Sequence, residues 1–431
     1  MSNRVSKLTR TMFKLTALAL VFAPASAFAT LGYFSHGYGL KAKGMGGVGI
    51  ALPQDSMSGI TNPANLGFAG SRLDVELDMF RPIRDGEIVG NAVGLNGSHD
   101  ASGRKNFFIP GFAFNRMVRP DLALGVLVYG NGGMNTTFTR NPFGGFGGSD
   151  PAGVDYMQLF VSPTIAWKPN ENHSIGLSVN LVYHQFAAQG LEPFGALGLS
   201  SSPANLTNRG REDSSGIGFR LGWTGKVSPN VTLGAMVQPR TNMGKLSNYQ
   251  GLFRNQGDLD IPATYGVGIA VKATPQLMIA GDIQQIDYAK VPAIGTSSTC
   301  IFNGTCGLFG ASNGPGFGWR NMTAYKIGVS YEVSRSLTIR AGFATGKQPI
   351  PSSQTFLNLL FPAVVEDHLT LGATWTMGSM DFTAGYMHAF KKKVNGTGSI
   401  PPGFPPAGLG GGEANPKMYQ DSIGVAIGWK M

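Results

Sequence analysis

Residues 157–184 read MQLFVSPTIAWKPNENHSIGLSVNLVYH. Met157, Leu159, Val161, Ile165 and Trp167 share one parity, and Gln158, Ser162, Thr164 and Lys168 share the other. After the polar break Pro169–Asn172 the pattern resumes, with Ile175, Leu177, Val179, Leu181 and Tyr183 alternating with Ser174, Gly176, Ser178, Asn180 and His184. Successive side chains of a strand point to opposite faces, so each run has one apolar face and one small or polar face. The same alternation returns at Tyr325–Val333 and at Ile423–Trp429. A soluble sandwich would turn the apolar face inward and carry charge outside. Here only 13% of residues are charged, against ~25% in soluble domains, so the apolar face is assigned to lipid.

The remaining composition agrees. Glycine accounts for 63 of 431 residues, about twice the usual ~7%. The first 29 residues read as an export signal, with Arg4, Lys7, Arg10 and Lys14 ahead of the apolar run Leu15–Phe22 and an Ala27-Phe28-Ala29 cleavage site. That run is too short to serve as a retained anchor, which needs roughly 20 residues. Without the signal's four bases the formal charge is +6, too mild for a nucleic-acid partner. No later window approaches the 18 or so apolar residues of a membrane helix. A chain that spans lipid without such helices must close into a barrel, because lipid cannot satisfy an open sheet edge.

Fourteen alternating segments are countable: roughly 71–82, 105–118, 121–131, 154–168, 173–186, 214–227, 230–242, 260–273, 276–289, 322–334, 336–347, 366–377, 380–391 and 418–430. Their connections alternate between tight turns such as Arg119-Pro120 or Ser228-Pro229 and long loops at about 83–104, 132–153, 187–213, 243–259, 290–321, 348–365 and 392–417. Short turns on one side and long loops on the other are the periplasmic and extracellular asymmetry of bacterial barrels. An even strand number returns both ends to the periplasm.

Between signal and first strand lies TLGYFSHGYGLKAKGMGGVGIALPQDSMSGITNPANLGFAG, Thr30–Gly70. Its Asn62-Pro63-Ala64 segment, together with the barrel pattern, resembles the FadL family of outer-membrane transporters for long-chain fatty acids and other hydrophobic compounds, such as aromatic hydrocarbons or alkanes. The resemblance covers the whole mature chain. It implies an all-β transmembrane antiparallel barrel (residues 71–431) in a Gram-negative outer membrane, with residues 30–70 as a small hatch inside the lumen. It further implies passive uptake, release by a shift of Thr30, Leu31, Gly32, Tyr33 and Phe34, and an inward kink of the third strand that opens the wall. The matching kink residues are Gly130, Asn131, Gly132 and Gly133, where glycine accommodates a bulge. Asn62 is then expected to hydrogen-bond the hatch to that kinked wall, with Pro63 fixing the turn.

A fatty acid needs a dry pocket for its tail and a cation for its carboxylate. Lumen parity nominates Arg220, Arg240, Lys272, Lys326 and Arg340 for the head group, the bland alternative being pairing with lumen acids such as Asp282 or Glu332. The loops carry Leu191, Phe194, Leu197, Leu199, Leu252 and Phe253, which in the family reading form an outer groove that gathers a greasy solute. Cys300 and Cys306, the only cysteines, are expected to form a local disulfide in an oxidising compartment. Gly44–Gly49 matches a dinucleotide fingerprint but lacks the strand and helix that fingerprint needs. No cofactor, metal site or catalytic motif is expected, and the six histidines are dispersed. The expected partners are a hydrophobic ligand and outer-membrane lipid and lipopolysaccharide, with the barrel acting as a monomer. The rival readings are a general or polar-solute porin, which predicts a charged constriction; an adhesive barrel, which predicts polar loops; and an outer-membrane hydrolase built on a triad from distant strands. At the C-terminus Trp429 rather than the final Met431 supplies the aromatic residue common to barrel ends.

Overall fold

Alternation at the level of single residues produces a closed wall. A computed structural model describes residues 30–431, with only the backbone of Thr30, so the export signal read at 1–29 lies outside the described residues. Fourteen long strands form the wall: β1 Arg72–Val89, β2 Phe107–Arg119, β3 Leu122–Phe138, β4 Ala152–Asn170, β5 His173–Gln189, β6 Glu212–Ser228, β7 Val231–Gln238, β8 Thr264–Lys272, β9 Leu277–Ile286, β10 Met322–Ser334, β11 Leu337–Thr345, β12 Asp367–Met377, β13 Met380–Lys393 and β14 Glu413–Lys430. Each pairs antiparallel with its sequence neighbours, and β14 pairs with β1 from Glu413↔Val89 to Lys430↔Arg72, which closes the barrel. All fourteen expected segments are strands. Several extend further than the alternation indicated: β1, β3 to β6 and β14 run 17 to 19 residues, beyond the ~9–11 that cross a bilayer.

The faces follow parity. Val75, Leu77, Ile165, Trp167, Ile175, Val179, Ile217, Ile327, Leu371 and Val425 are exposed on the outer wall. Ser162, Thr164, Ser174, Ser178 and Asn180 are buried on the inner wall. Inside runs the segment Leu31–Leu66, almost wholly buried, built from the short helices Leu40–Lys43 and Ser58–Thr61 and the 3-10 turn Pro63–Asn65. It crowds against lumen-facing glycines of many strands. A Cβ at Gly222 would lie 1.8 Å from the Asn62 Oδ1, one at Gly234 2.3 Å from the Ile50 carbonyl, and one at Gly342 2.1 Å from the Gly46 nitrogen. The glycine excess thus makes room for backbone within the lumen.

The filled interior is divided by polarity. Towards the short turns it is ionic, with Arg72, Asp74, Glu76, Asp78, Asp282, Lys326 and Asp381 facing the segment. Towards the long loops it is mainly apolar, one cluster running from Leu31, Tyr33 and Phe34 to Phe143, Phe253, Phe317 and Leu357 and reaching down past the ionic groups to Met57, Ile60 and Leu66. Cys300 and Cys306 are disulfide-bonded in the β9–β10 connection. The groove residues read from the loops are not an exposed patch. Leu191, Phe194, Leu199, Leu252 and Phe253 are buried and Leu197 is half-buried. The loops fold onto one another, Phe194 packing edge-on against Phe143 and Phe309.

Candidate functional site

Strand β3 is where the wall departs from regularity. Its ladder with β2 runs from Arg119↔Leu122 to Phe112↔Val128 and goes no further. On its other edge the register with β4 shifts between Gly130 and Gly132, so Asn131 is an extra residue in the strand. From Asn131 to Thr136 the alternation of burial is lost and six consecutive residues are covered on both faces. This is the signature of a β-bulge, which interrupts the ladder and bends a strand locally. The side chain of Asn131 is locked there: its Nδ2 donates to the Gln158 Oε1 at 2.7 Å, and the Tyr38 hydroxyl donates to its Oδ1 at 2.9 Å.

The edge that β2 leaves unpaired is met from inside by the N-terminal arm. Phe34 pairs with Gly132, and the Gly133 N–H donates to the Tyr33 carbonyl at 2.9 Å. A Cβ on Gly132 would lie 2.1 Å from that carbonyl oxygen, so this contact requires glycine. The arm is seated by Tyr288, just beyond β9. Its hydroxyl accepts from the Tyr33 N–H at 3.1 Å and the Phe34 N–H at 3.3 Å, and donates to the Leu31 carbonyl. The Tyr33 ring packs against Phe34, Tyr156, Tyr288 and Trp319 at 5.0–5.8 Å between centroids. From it a ladder of rings climbs through Tyr156 and Phe186 to Phe253 and Tyr249 in the loops.

The rest of the segment is held by charge. Lys41 pairs with Asp381 at 2.8 Å and Lys43 with Asp78 at 2.5 Å. The Gly49 and Ile50 N–H groups donate to Asp282 at 2.8 and 3.0 Å, the Leu40 N–H to Glu76 at 2.8 Å, and Ser56 to Asp74. Burial and the neighbouring Asp74 raise the Asp55 carboxyl above the usual carboxylate range. Burial holds His36 well below its usual value, with His368, stacked at 5.8 Å, and the ammonium groups of Lys43 and Lys326 adding to the effect. The Asn62 Nδ2 donates to the Ile50 carbonyl at 2.7 Å, the Trp223 carbonyl at 2.9 Å and the Thr224 Oγ1 at 3.0 Å, while its Oδ1 accepts from Ala64. It therefore ties the segment to β6, not to the kinked β3 as the sequence reading expected. Pro63 and Ala64 pack where Gly176 of β5 leaves space.

The five head-group candidates do not converge. Lys272 is exposed at the β8 turn. Arg240 pairs with Asp260, its Nε at 2.8 Å. Arg340 donates to Gln54 at 3.2 Å and Thr374 at 2.7 Å. Lys326 donates to the Gln284 Oε1 at 2.9 Å and the Gly47 carbonyl at 3.3 Å. Arg220 differs. It is 2% exposed, its terminal nitrogen donates to the Gln238 Oε1 at 2.7 Å, and its Nε has no partner among the described residues. Of the two acids nominated as partners, Asp282 serves the segment's N–H groups, and Glu332 is exposed near the end of β10.

Residues 16–403 match the family described as outer membrane protein transport protein (OMPP1/FadL/TodX). The chain belongs to that family. Among solved structures, family-like folds include the toluene transporter TodX of Pseudomonas putida, 18% identical, covering 94% of this chain and 100% of that one with a TM-score of 0.68. A FadL homologue of Pseudomonas aeruginosa is 17% identical, with 93% and 99% covered and a TM-score of 0.69. The toluene transporter TbuX of Ralstonia pickettii is 18% identical, with 92% and 99% covered and a TM-score of 0.61. At these identities the likeness is one of fold. No curated protein matches the sequence. Family membership places this barrel in the outer membrane and among transporters of hydrophobic compounds. Sequence reading missed Tyr288 and Trp319, because their neighbours come from the far end of the chain and no local pattern marks them.

Proposed function

We propose that this barrel takes up apolar solutes by passive diffusion, from the loops down the aromatic ladder to the kink in β3, and out sideways between β2 and β3. In this reading residues 30–70 are the hatch, residues 71–431 the barrel and residues 1–29 a removed export signal. Residues 31–34 are the moving stopper, while Leu40–Leu66 is the fixed body. The observation that carries the proposal is the polarity step inside the barrel. Above the arm the filling is mainly apolar and holds the ring ladder, while the ion pairs Lys41–Asp381 and Lys43–Asp78 and the acids that hold the hatch lie below it, beside the lower part of the same apolar cluster at Met57, Ile60 and Leu66. Breaking such buried pairs costs several kcal/mol, whereas the arm is held by one hydroxyl, one β-bridge and ring contacts. A greasy molecule that reaches the arm therefore meets less resistance sideways than downwards. A charged constriction open to water, as a polar-solute porin requires, is not what the apolar column offers.

For solutes that carry a carboxylate, Arg220 is the head-group residue. A buried guanidinium without a carboxylate partner is costly unless a ligand supplies the charge. Arg240, Lys272, Lys326 and Arg340 are already engaged or lie at the rim. A closed wall has no free edge, and the protein works as a monomer in contact with outer-membrane lipid and lipopolysaccharide. The test is bilayer conductance of the purified protein, combined with retention of dodecane and dodecanoate measured by mass spectrometry. Negligible conductance, retention of both probes and a selective loss of dodecanoate in Arg220→Gln are expected. A steady open-pore current with neither probe retained refutes the reading.

A further inference from the structure

At the periplasmic end, beneath the hatch and beside the β2–β3 turn, lies an open depression of about 660 Å³ lined by Gly67, Phe68, Met117, Arg119, Lys168 and Lys226 among others. The hatch's last turn, Leu66–Ala69, presents the half-exposed Phe68 ring there. That turn is fixed by the Asn115 Nδ2, which donates to the Leu66 carbonyl at 2.9 Å and the Gly70 carbonyl at 2.7 Å. Two ammonium groups converge on the ring, Lys226 at 4.7 Å and Lys168 at 5.9 Å from its centroid. Among the described residues neither lysine forms an ion pair. The third cation, Arg119, is engaged by Asp121 through two bonds of 3.0 Å. Backbone bonds fix both lysine positions, the Lys168 N–H to the Asp121 carbonyl at 2.8 Å and the Lys226 N–H to the Asn172 carbonyl at 2.7 Å.

We infer that this depression is a binding site for an anionic amphiphile, separate from the solute column above the hatch. A ring face offsets a nearby cation only weakly, by roughly 0.5–1 kcal/mol at an exposed site, and it cannot cancel the repulsion between two ammonium groups. A carboxylate or phosphate between them does both. The apolar lining of Phe68, Met117 and Val118 serves a tail, which an inorganic anion lacks. The volume lies in the usual range for a small-molecule site. Short turns mark the periplasmic end of such a barrel, where both free amphiphiles and leaflet lipids are at hand. The anion is therefore either a free fatty-acid-like molecule or a leaflet lipid. The site does not depend on the lateral route proposed above, since it lies on the other side of the ionic floor.

The experiment uses the whole protein in phosphatidylcholine nanodiscs and a twelve-carbon diazirine fatty acid, with the diazirine alcohol of equal length as control. Photolabelling of peptides containing Phe68 and Met117 is read by mass spectrometry. The acid is expected to label them roughly tenfold more than the alcohol, the ratio two part-exposed ion pairs give. Lys168→Gln with Lys226→Gln is expected to remove that preference without altering the heat-modifiable migration of the folded barrel. Millimolar inorganic phosphate is expected not to displace the probe. Loss of labelling when phosphatidylglycerol is added assigns the site to a leaflet lipid, and persistence assigns it to a free amphiphile; either supports the site. Equal labelling by acid and alcohol in the unaltered protein, or displacement by phosphate alone, overturns the proposal. Labelling higher in the barrel reports on the solute column separately.

Discussion

Replacing Tyr288 by phenylalanine removes one oxygen and leaves every ring contact of the arm in place. That oxygen accepts from two N–H groups of the arm and donates to the Leu31 carbonyl, at the position where the arm covers the kink. With the arm seated, the Tyr288→Phe variant would bury the Tyr33 N–H without that acceptor and remove one partner from Leu31 and Phe34, which also pair with each other; with the arm released, water satisfies them. A net hydrogen bond is worth about 0.5–1.5 kcal/mol and an orphaned buried group more. The Phe34 bond is long at 3.3 Å and counts least. The sum is about 2–4 kcal/mol against the seated state, a shift of about 30- to 800-fold in the seated-to-released ratio. Hydrogen exchange in nanodiscs reads this directly. Amides of residues 31–35 and Gly133, whose N–H donates to the Tyr33 carbonyl, are expected to exchange faster by that factor. Amides of residues 40–56, held by wall carboxylates, are expected not to change. Tyr156→Phe is the control, because that hydroxyl bonds Gln158 and not the arm. Unchanged exchange at residues 31–35, or an equal rise across residues 31–66, refutes a separately mobile arm.

Gly132→Val puts a side chain where the Tyr33 carbonyl lies 2.1 Å from an ideal Cβ, so the arm is expected to become protease-sensitive while barrel migration stays normal; an arm as resistant as in the unaltered protein would count against the contact. Asn62→Ala deletes the amide whose two N–H groups are shared among the Ile50 and Trp223 carbonyls and the Thr224 Oγ1 and whose oxygen accepts from Ala64. Exchange of residues 49–66 is expected to rise about tenfold or more with the arm amides unchanged, and a rise at the arm alone would return Asn62 to the kink.

The wall was legible because its signal is local. Trp167 and Lys168 declare opposite faces without reference to any other strand, so lipid alone decides which side each takes. The strand ends were not, since beyond the bilayer the wall continues for reasons of loop packing that alternation does not record. The glycines at 130, 132 and 133 were legible as a class, but the extra residue at the register shift is Asn131, and the partner that demands Gly132 comes from the N-terminal arm. Asn62 was visible as a motif, whereas its partners, Trp223 and Thr224, are set by how the segment before β1 is threaded through the barrel. The loop aromatics read as exposed because the sequence does not show that Phe143 and Phe309 cover Phe194. Among five equivalent lumen cations, only the threaded structure shows Lys272 exposed at a turn, Arg240 ion-paired and Arg220 buried with its Nε unpartnered among the described residues.

The central claim is that the arm is the stopper of the lateral gap. Among the described residues both native cysteines are bonded to each other, so Tyr33→Cys with Tyr156→Cys, whose rings stand 5.7 Å apart, can be joined by a short bifunctional maleimide. Uptake of a radiolabelled apolar solute into outer-membrane vesicles is then compared with that of each single cysteine variant treated identically. The joined protein, still migrating as a folded barrel, is expected to lose uptake while both singles retain it. Uptake by the joined protein equal to the singles would mean that solute passes without moving the arm.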